Sequence, residues 1–233
     1  TRGTTTGLNW VAHFAQEILQ PGDQVIISIL EHHSNIIPWQ EACRKTGAKL
    51  DYVYLKDGEL DVAGLQDLLS ARTRFVSLAH VSNVLGVVNP IKEIAQMVHA
   101  VGAYLVVDGA QSTPHMAIDV QDLDVDFFAF SGHKMLGPTG IGVLYGKEEL
   151  LDIMSPVEYG GEMIDFVREQ SASWKELPWK FEAGTPNIAG VIGLGAAITY
   201  LTQIGMDRVQ THELDLVRYL FPKLQAIPGL TIY

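Results

Sequence analysis

The chain has 233 residues, 47% hydrophobic and 18% charged, a balance that suits one substantial core and excludes a disordered or fibrous chain. Lys+Arg 16 against Asp+Glu 27 leave a formal charge of -11, which argues against nucleic acid and anionic membranes as partners, since both require a basic face. The single cysteine, Cys43, excludes an intrachain disulfide, and with no secretory signal at its start the chain reads as a reduced, cytoplasmic protein.

In chain order, Thr1 to Thr6 lead into a helix that carries Leu8, Val11, Ala12, Ala15, Ile18 and Leu19 on one face and stops at Pro21-Gly22-Asp23. Gln24 to Ser28 reads as a buried strand. After His32 and His33, Pro38 opens a helix that ends at Gly47. Lys49 to Tyr54 is a strand, Asp57-Gly58 a turn, and Asp61 to Leu69 a helix capped by Asp61. Thr73 to Ala79 is a strand, Pro90 to Val101 a helix closed by Gly102, and Tyr104 to Asp108 a strand. Phe127 to Ser131 and Ile141 to Tyr145 are two further strands, joined too closely for a crossover, so the second is expected to run antiparallel. Ser155 to Pro186 reads as a long ordered loop, Asn187 to Ile204 as a buried apolar helix, Asp207 to Leu224 as a more charged one, and Leu230 to Tyr233 as the start of a strand. The apolar run Ile188 to Leu201 is too short and too glycine-rich to span a bilayer, so no membrane is expected.

Strands alternating with helices at this spacing predict an α/β fold, a mostly parallel sheet with helices on both faces. In such sheets ligands gather at the C-terminal strand ends. Gly3-Thr4-Thr5 opens the first helix, where orphan N–H groups favour a phosphate. His32, Asn83, Asp108 with Gln111, and Ser131 with His133 and Lys134 follow successive strands. The turn Ser131-Gly132-His133-Lys134 puts a lysine at the end of a buried strand, and buried lysines become amine nucleophiles that form Schiff bases. It is no P-loop, because Gly142 is followed by Val143 and Leu144. Nor is it a dinucleotide fingerprint, because Gly137 to Gly142 runs into a strand. Asp108 taken alone could merely cap a turn. His32-His33 has no thiolate or Glu-x-x-His partner, so no metal site is expected. Together the helix N-terminus, carboxylate, flat aromatic side chain and lysine make a site for pyridoxal 5'-phosphate, with the carboxylate on the pyridinium nitrogen.

Glu31-His32-His33-Ser34-Asn35 with Pro38-Trp39, Asp108-Gly109-Ala110-Gln111, Phe130-Ser131-Gly132-His133-Lys134, Gly137-Pro138-Thr139-Gly140-Ile141-Gly142 and Phe181-Glu182-Ala183-Gly184-Thr185-Pro186-Asn187 together resemble the cysteine desulfurase family. The likeness is to its SufS/CsdA-like group within the class V, fold-type-I aminotransferases, related to selenocysteine lyases. The resemblance implies that Lys134 carries the Schiff base, His32 stacks on the cofactor ring, Asp108 holds the ring nitrogen and Gln111 sits at the ring hydroxyl. It implies further that Thr4, Thr5, Ser131 and His133 bind the phosphate, that Asn83 lies near ring and substrate, and that Thr185 reaches the phosphate of the other subunit of a homodimer. L-Cysteine is then the substrate and a sulfur-acceptor protein, in iron–sulfur cluster assembly, the partner.

Where the family usually has glutamate after Gly-Thr-Thr, this chain has Thr6. The expected organisation is a cofactor-binding large domain over residues 1–205 and the start of a small domain over 206–233. On this reading the chain is a fragment whose nucleophilic-cysteine loop and substrate arginine lie outside it, and it is inactive alone. Cys43, in the helix after Trp39, does not match that cysteine and reads as a buried helical residue. A selenocysteine lyase or another class V aminotransferase is the alternative within the class. A non-catalytic module that dimerises or docks the acceptor is the alternative outside it.

Overall fold

A computed structural model describes residues 1–232; Tyr233, the last residue of the expected closing strand, lies outside the described residues. The chain runs α1 (Thr4–Ile18), β1 (Gln24–Ser28), a 3-10 turn (His33–Asn35), α2 (Ile37–Thr46) and β2 (Lys49–Val53). There follow β3 (Leu55–Lys56), β4 (Glu59–Leu60), α3 (Val62–Leu68), β5 (Thr73–Ala79), α4 (Ile91–Ala100) and β6 (Tyr104–Asp108). The remaining elements are β7 (Phe127–Ser131), β8 (Gly142–Gly146), α5 (Glu148–Ile153), β9 (Ile164–Val167), β10 (Ala172–Trp174), α6 (Ile188–Ile204) and α7 (Met206–Gln225).

Side chains alternate across a strand, and this alternation sets the layers. On one face, Val25, Ile27, Phe75, Val106 and Phe127 pack with Leu8, Val11 and Phe14 of α1 and with Trp39 of α2. On the other, Ile26, Val76, Leu78, Leu105, Val107 and Phe128 pack with Leu65 of α3 and with Ile91, Ile94 and Val98 of α4. The main sheet has the order β2-β1-β5-β6-β7-β8. It is parallel except for β8, which pairs antiparallel with β7 from Phe127↔Gly146 to Ser131↔Gly142. The expected mixed sheet, helices on both faces and antiparallel last strand are all present.

Local signals explain most boundaries. Asp61 accepts a hydrogen bond from the Gly64 N–H (3.0 Å) and starts α3. Gly47 ends α2 in the left-handed region at φ 75°. Asp57 and Gly58, at φ 55° and 86°, close the β3–β4 hairpin with the twist that two-residue turns favour.

Three expectations are corrected. The 155–186 stretch is not all loop: β9 and β10 form an antiparallel hairpin, and a 3-10 turn spans Trp179–Phe181. α6 is not buried all round. Only its stripe through Leu194, Ala197 and Leu201 is covered, with Leu194 and Leu201 in a cluster with Met135 and Ile141, while Ile192 is 69% exposed. A helix apolar on every side needs two partner surfaces, and the described residues supply one. Residues Leu230 to Ile232 form no strand. α5 is an element the periodicity did not signal. No single helix among the described residues is long and apolar enough to cross a membrane.

Candidate active site

The sheet order reverses between β1 and β5, and ligands of open α/β sheets lie at the C-terminal strand ends around such a point. A cleft of about 210 Å³ lies there. His32 reaches it from the end of β1, Ala79, Val81 and Asn83 from β5, and Asp108 with Gln111 from β6. Ser131, His133 and Lys134 enter from β7, and Thr4 and Thr5 from the start of α1. These residues are far apart in sequence and come together only because four parallel strands end side by side.

The first turn of α1 is stitched to the end of β7. Ser131 Oγ accepts the Thr4 backbone N–H at 2.8 Å and shares a hydrogen bond with Thr4 Oγ1 at 2.7 Å. The contact needs glycine at position 3: its φ is 149°, and a Cβ there would sit 3.0 Å from Ser131 Oγ. Gly142 also approaches Gly3, where an added Cβ would lie 2.5 Å from the Gly3 Cα. The helix N-terminus, with first-turn amides that no intrahelical carbonyl can reach, is thereby aimed at the Ser131–Lys134 turn. That turn is drawn in on the Gly132 carbonyl, which accepts from the Met135 and Gly137 amides at 3.0 and 2.8 Å. Lys134 ends its 3-10 segment and is half-buried rather than buried, while His133 is exposed.

Asp108 is 4% exposed. Burial raises its pKa, and the Ala110 amide, Lys134 and His32 oppose that shift. Its Oδ1 accepts the Ala110 N–H at 2.9 Å, and its other oxygen takes no hydrogen bond among the described residues. Gly109 makes this bend possible, since a Cβ there would fall 2.0 Å from the Phe128 ring. His32 is exposed, but its ring is oriented. Nδ1 accepts the Ser34 N–H at 3.1 Å and meets Ser34 Oγ at 2.8 Å, so the N–H of a neutral ring is assigned to Nε2. No group of three or more His, Cys, Asp or Glu among the described residues could hold a metal ion.

Thr185 is the one selected residue outside this cleft: it is exposed and lines a separate cavity with Arg2, Thr6 and Asn187. Sequence reasoning missed Ser34, which orients His32, and Glu31, Asn35 and Ser28, which form a buried network beside it. The signal was present in Glu31-His32-His33-Ser34-Asn35, five polar residues directly after an apolar strand; that the first and last turn inward is a matter of tertiary packing. The arrangement provides an anion seat, a buried carboxylate for a protonated ring nitrogen and an amine between them, which suits a flat, phosphorylated aromatic carbonyl compound.

The profile of the family described as aminotransferase class-V matches residues 1–233. The chain belongs to that family. A probable cysteine desulfurase of Halalkalibacterium halodurans is 57% identical over 235 residues, covering 100% of this chain and 58% of its own length. The solved cysteine desulfurase CsdA of Escherichia coli, in an S-sulfonic acid form, superposes with a TM-score of 0.96 at 44% identity over 98% of this chain and 58% of that one. C-DES superposes at 0.85 and 26% identity over 97% of this chain and 61% of its own. One of its structures is a lysine-to-alanine mutant with glycine covalently linked to its PLP cofactor, and another shows this cystine C–S lyase with its product, cysteine persulfide. The chain thus spans a little under three-fifths of the CsdA and H. halodurans relatives.

Proposed function

We propose that this chain is the cofactor domain of a pyridoxal-phosphate-dependent cysteine desulfurase, which takes sulfur from L-cysteine and leaves alanine. The observation that carries the reading is the meeting of Lys134, Asp108, His32 and the α1–Ser131 anion seat in one cleft. The donor set fits the cofactor in kind. Orphan helix amides and hydroxyls suit its phosphate, a buried carboxylate suits its pyridinium, and an amine suits its aldehyde. Pyridoxal phosphate, when bound, supplies the electron sink that labilises bonds at the substrate's α-carbon.

The chain's own residues do the rest. Thr4, Thr5, Ser131 and His133 would hold the phosphate. Asp108 would keep the proton on the ring nitrogen, because a carboxylate beside a pyridinium in a buried site favours the charged pair. His32, oriented by Ser34, would stack on the ring. Lys134 would bond the aldehyde carbon and carry protons at the substrate carbon. Gln111 and Asn83 would be hydrogen-bond partners of the ring's polar groups. On the same reading the protein is a cytoplasmic homodimer in which Thr185 serves the partner's phosphate, and a sulfur-acceptor protein collects the product. Residues 1–205 form the large domain and 206–233 begin a small one.

A second reading, C–S lyase chemistry in which sulfur leaves without passing to a protein thiol, is favoured by the likeness to the cystine C–S lyase C-DES. Cys43 bears on neither reading, since it is 6% exposed in α2 and burial pushes its pKa up to about 11, so it is no nucleophile.

The test is titration of the full chain with pyridoxal phosphate, followed by borohydride reduction and peptide mapping. The reduced adduct is expected on Lys134 and is lost in Lys134→Ala, while weak phosphate-dependent binding survives. An adduct on Lys147 or Lys175 would sink the assignment.

A further inference from the structure

Glu31 follows the end of β1 and is buried, 7% exposed. Its Oε2 accepts the Asn35 Nδ2–H at 2.6 Å, and its Oε1 lies in short contact with Ser28 Oγ. Asn35 cannot turn over. Its Oδ1 accepts from Trp39 Nε1–H at 3.0 Å and from Ser77 Oγ–H at 2.6 Å, and indole is a donor only. Oε2 is therefore an acceptor, and a proton on Glu31 resides on Oε1, shared with Ser28. The Ala79 backbone also hydrogen-bonds this carboxyl, and Ala79 stands directly opposite Asp108 in the β5–β6 register. Two buried acids are thus separated by little more than one strand.

Lys134 and His32 face Asp108 and favour its ionised form, and His80, the residue after Ala79, is kept neutral by burial, which pushes its pKa down to about 4. Ser28 and Asn35, which bond Glu31, and Trp39 and Ser77, which hold Asn35, carry no charge. Like charges in one buried site cannot both ionise freely, and the member without a cation keeps the proton. Burial first, and the Asp108 charge in addition, push Glu31 up to about 7, against the three hydrogen bonds from Ser28, Asn35 and Ala79.

We propose that Glu31 is a positioning residue of the cofactor site, whose carboxyl shares a proton with Ser28 in the cofactor-free chain and loses proton occupancy when a pyridinium docks on Asp108. The inference rests on the cofactor reading above. A cation on Asp108 cancels the part of the shift that comes from the Asp108 charge, while burial persists, so the proton affinity of Glu31 falls and its proton occupancy at neutral pH falls with it. The reciprocal follows from linkage: if binding expels a proton, affinity for the cofactor rises with pH across the neutral range. Glu31→Gln keeps an acceptor for Asn35 and a donor for Ser28 but has no proton to lose.

Two measurements on the full chain separate the outcomes. Infrared spectra of the cofactor-free protein at mildly acidic pH should contain a protonated-carboxyl stretch that disappears at alkaline pH and is missing from Glu31→Gln. If that substitution prevents folding, Glu31→Asp assigns the band by shifting it. Calorimetry with pyridoxal phosphate, in two buffers of different ionisation enthalpy, should count more protons released by the wild type than by the variant. The infrared band should shrink as the cofactor is added. Absence of the band overturns the proposal whatever the cofactor does. A band indifferent to pyridoxal phosphate, or equal proton counts, overturns the coupling. A chain that keeps the band but binds no pyridoxal phosphate overturns the cofactor reading and leaves Glu31 as a protonated acid without that role.

Discussion

Replacing Asp108 by asparagine separates charge from shape. Asparagine keeps the volume and an oxygen for the Ala110 N–H, now bonded at 2.9 Å, so the turn into Gly109 stays closed. What is lost is the charge facing the ring nitrogen. Two unit charges about 4 Å apart at an effective dielectric of about 20 interact by ~4 kcal/mol, which corresponds to roughly a thousandfold in affinity for pyridoxal phosphate. The cofactor-free chain should respond in the opposite sense. Burial raises Asp108 above its ordinary value of 3.8, so this group's stability contribution is fully present below that value and lost as pH rises through the higher folded-state value. At neutral pH the wild type bears that cost and Asp108→Asn does not, so the variant's urea midpoint without cofactor should be equal or higher. The assays are fluorescence titration with pyridoxal phosphate and urea unfolding, with Asp119→Asn as control, since Asp119 is exposed and caps a turn at the Gln121 and Asp122 amides. Unchanged cofactor affinity in Asp108→Asn, or an equal loss in Asp119→Asn, would refute the reasoning.

Gly109→Ala would drive a methyl group into the Phe128 ring, which is 2% exposed and has no room to yield, so a loss of about 1–3 kcal/mol in urea unfolding is expected together with weaker cofactor binding. A midpoint equal to that of the wild type would show that the bend relaxes freely. Cys43→Ser should leave any sulfide release from L-cysteine unchanged, and native Cys43 should react slowly with iodoacetamide at neutral pH but quickly in denaturant. Sulfide release that vanishes in Cys43→Ser would make that thiol the nucleophile.

What the sequence determined by itself is what depends on near neighbours. Apolar runs of four to eight residues, stop signals such as Gly47, the Asp61 cap and the Asp57-Gly58 turn locate the sheet and most of its helices, because each is a local backbone preference. The spacing also put Lys134, Asp108, His32 and Ser131 at strand ends, and a parallel sheet sends all such ends to one edge, so most of the cleft was legible without coordinates.

Tertiary structure alone decided the contacts that join distant segments: Ser131 on the Thr4 amide, Gly3 against Gly142, and Glu31 locked by Asn35 while Asn35 is held by Trp39 and Ser77. It also decided that α6 covers one stripe and leaves Ile192 exposed, that residues 155–186 contain a hairpin, and that Thr185 stands apart from Lys134. Periodicity reports that a side chain is apolar, or that a glycine or acid is present. Burial, and with it the proton affinity of Glu31 and Asp108, depends on what other elements bring against that residue, and that is settled only when the sheet and its helices close around it.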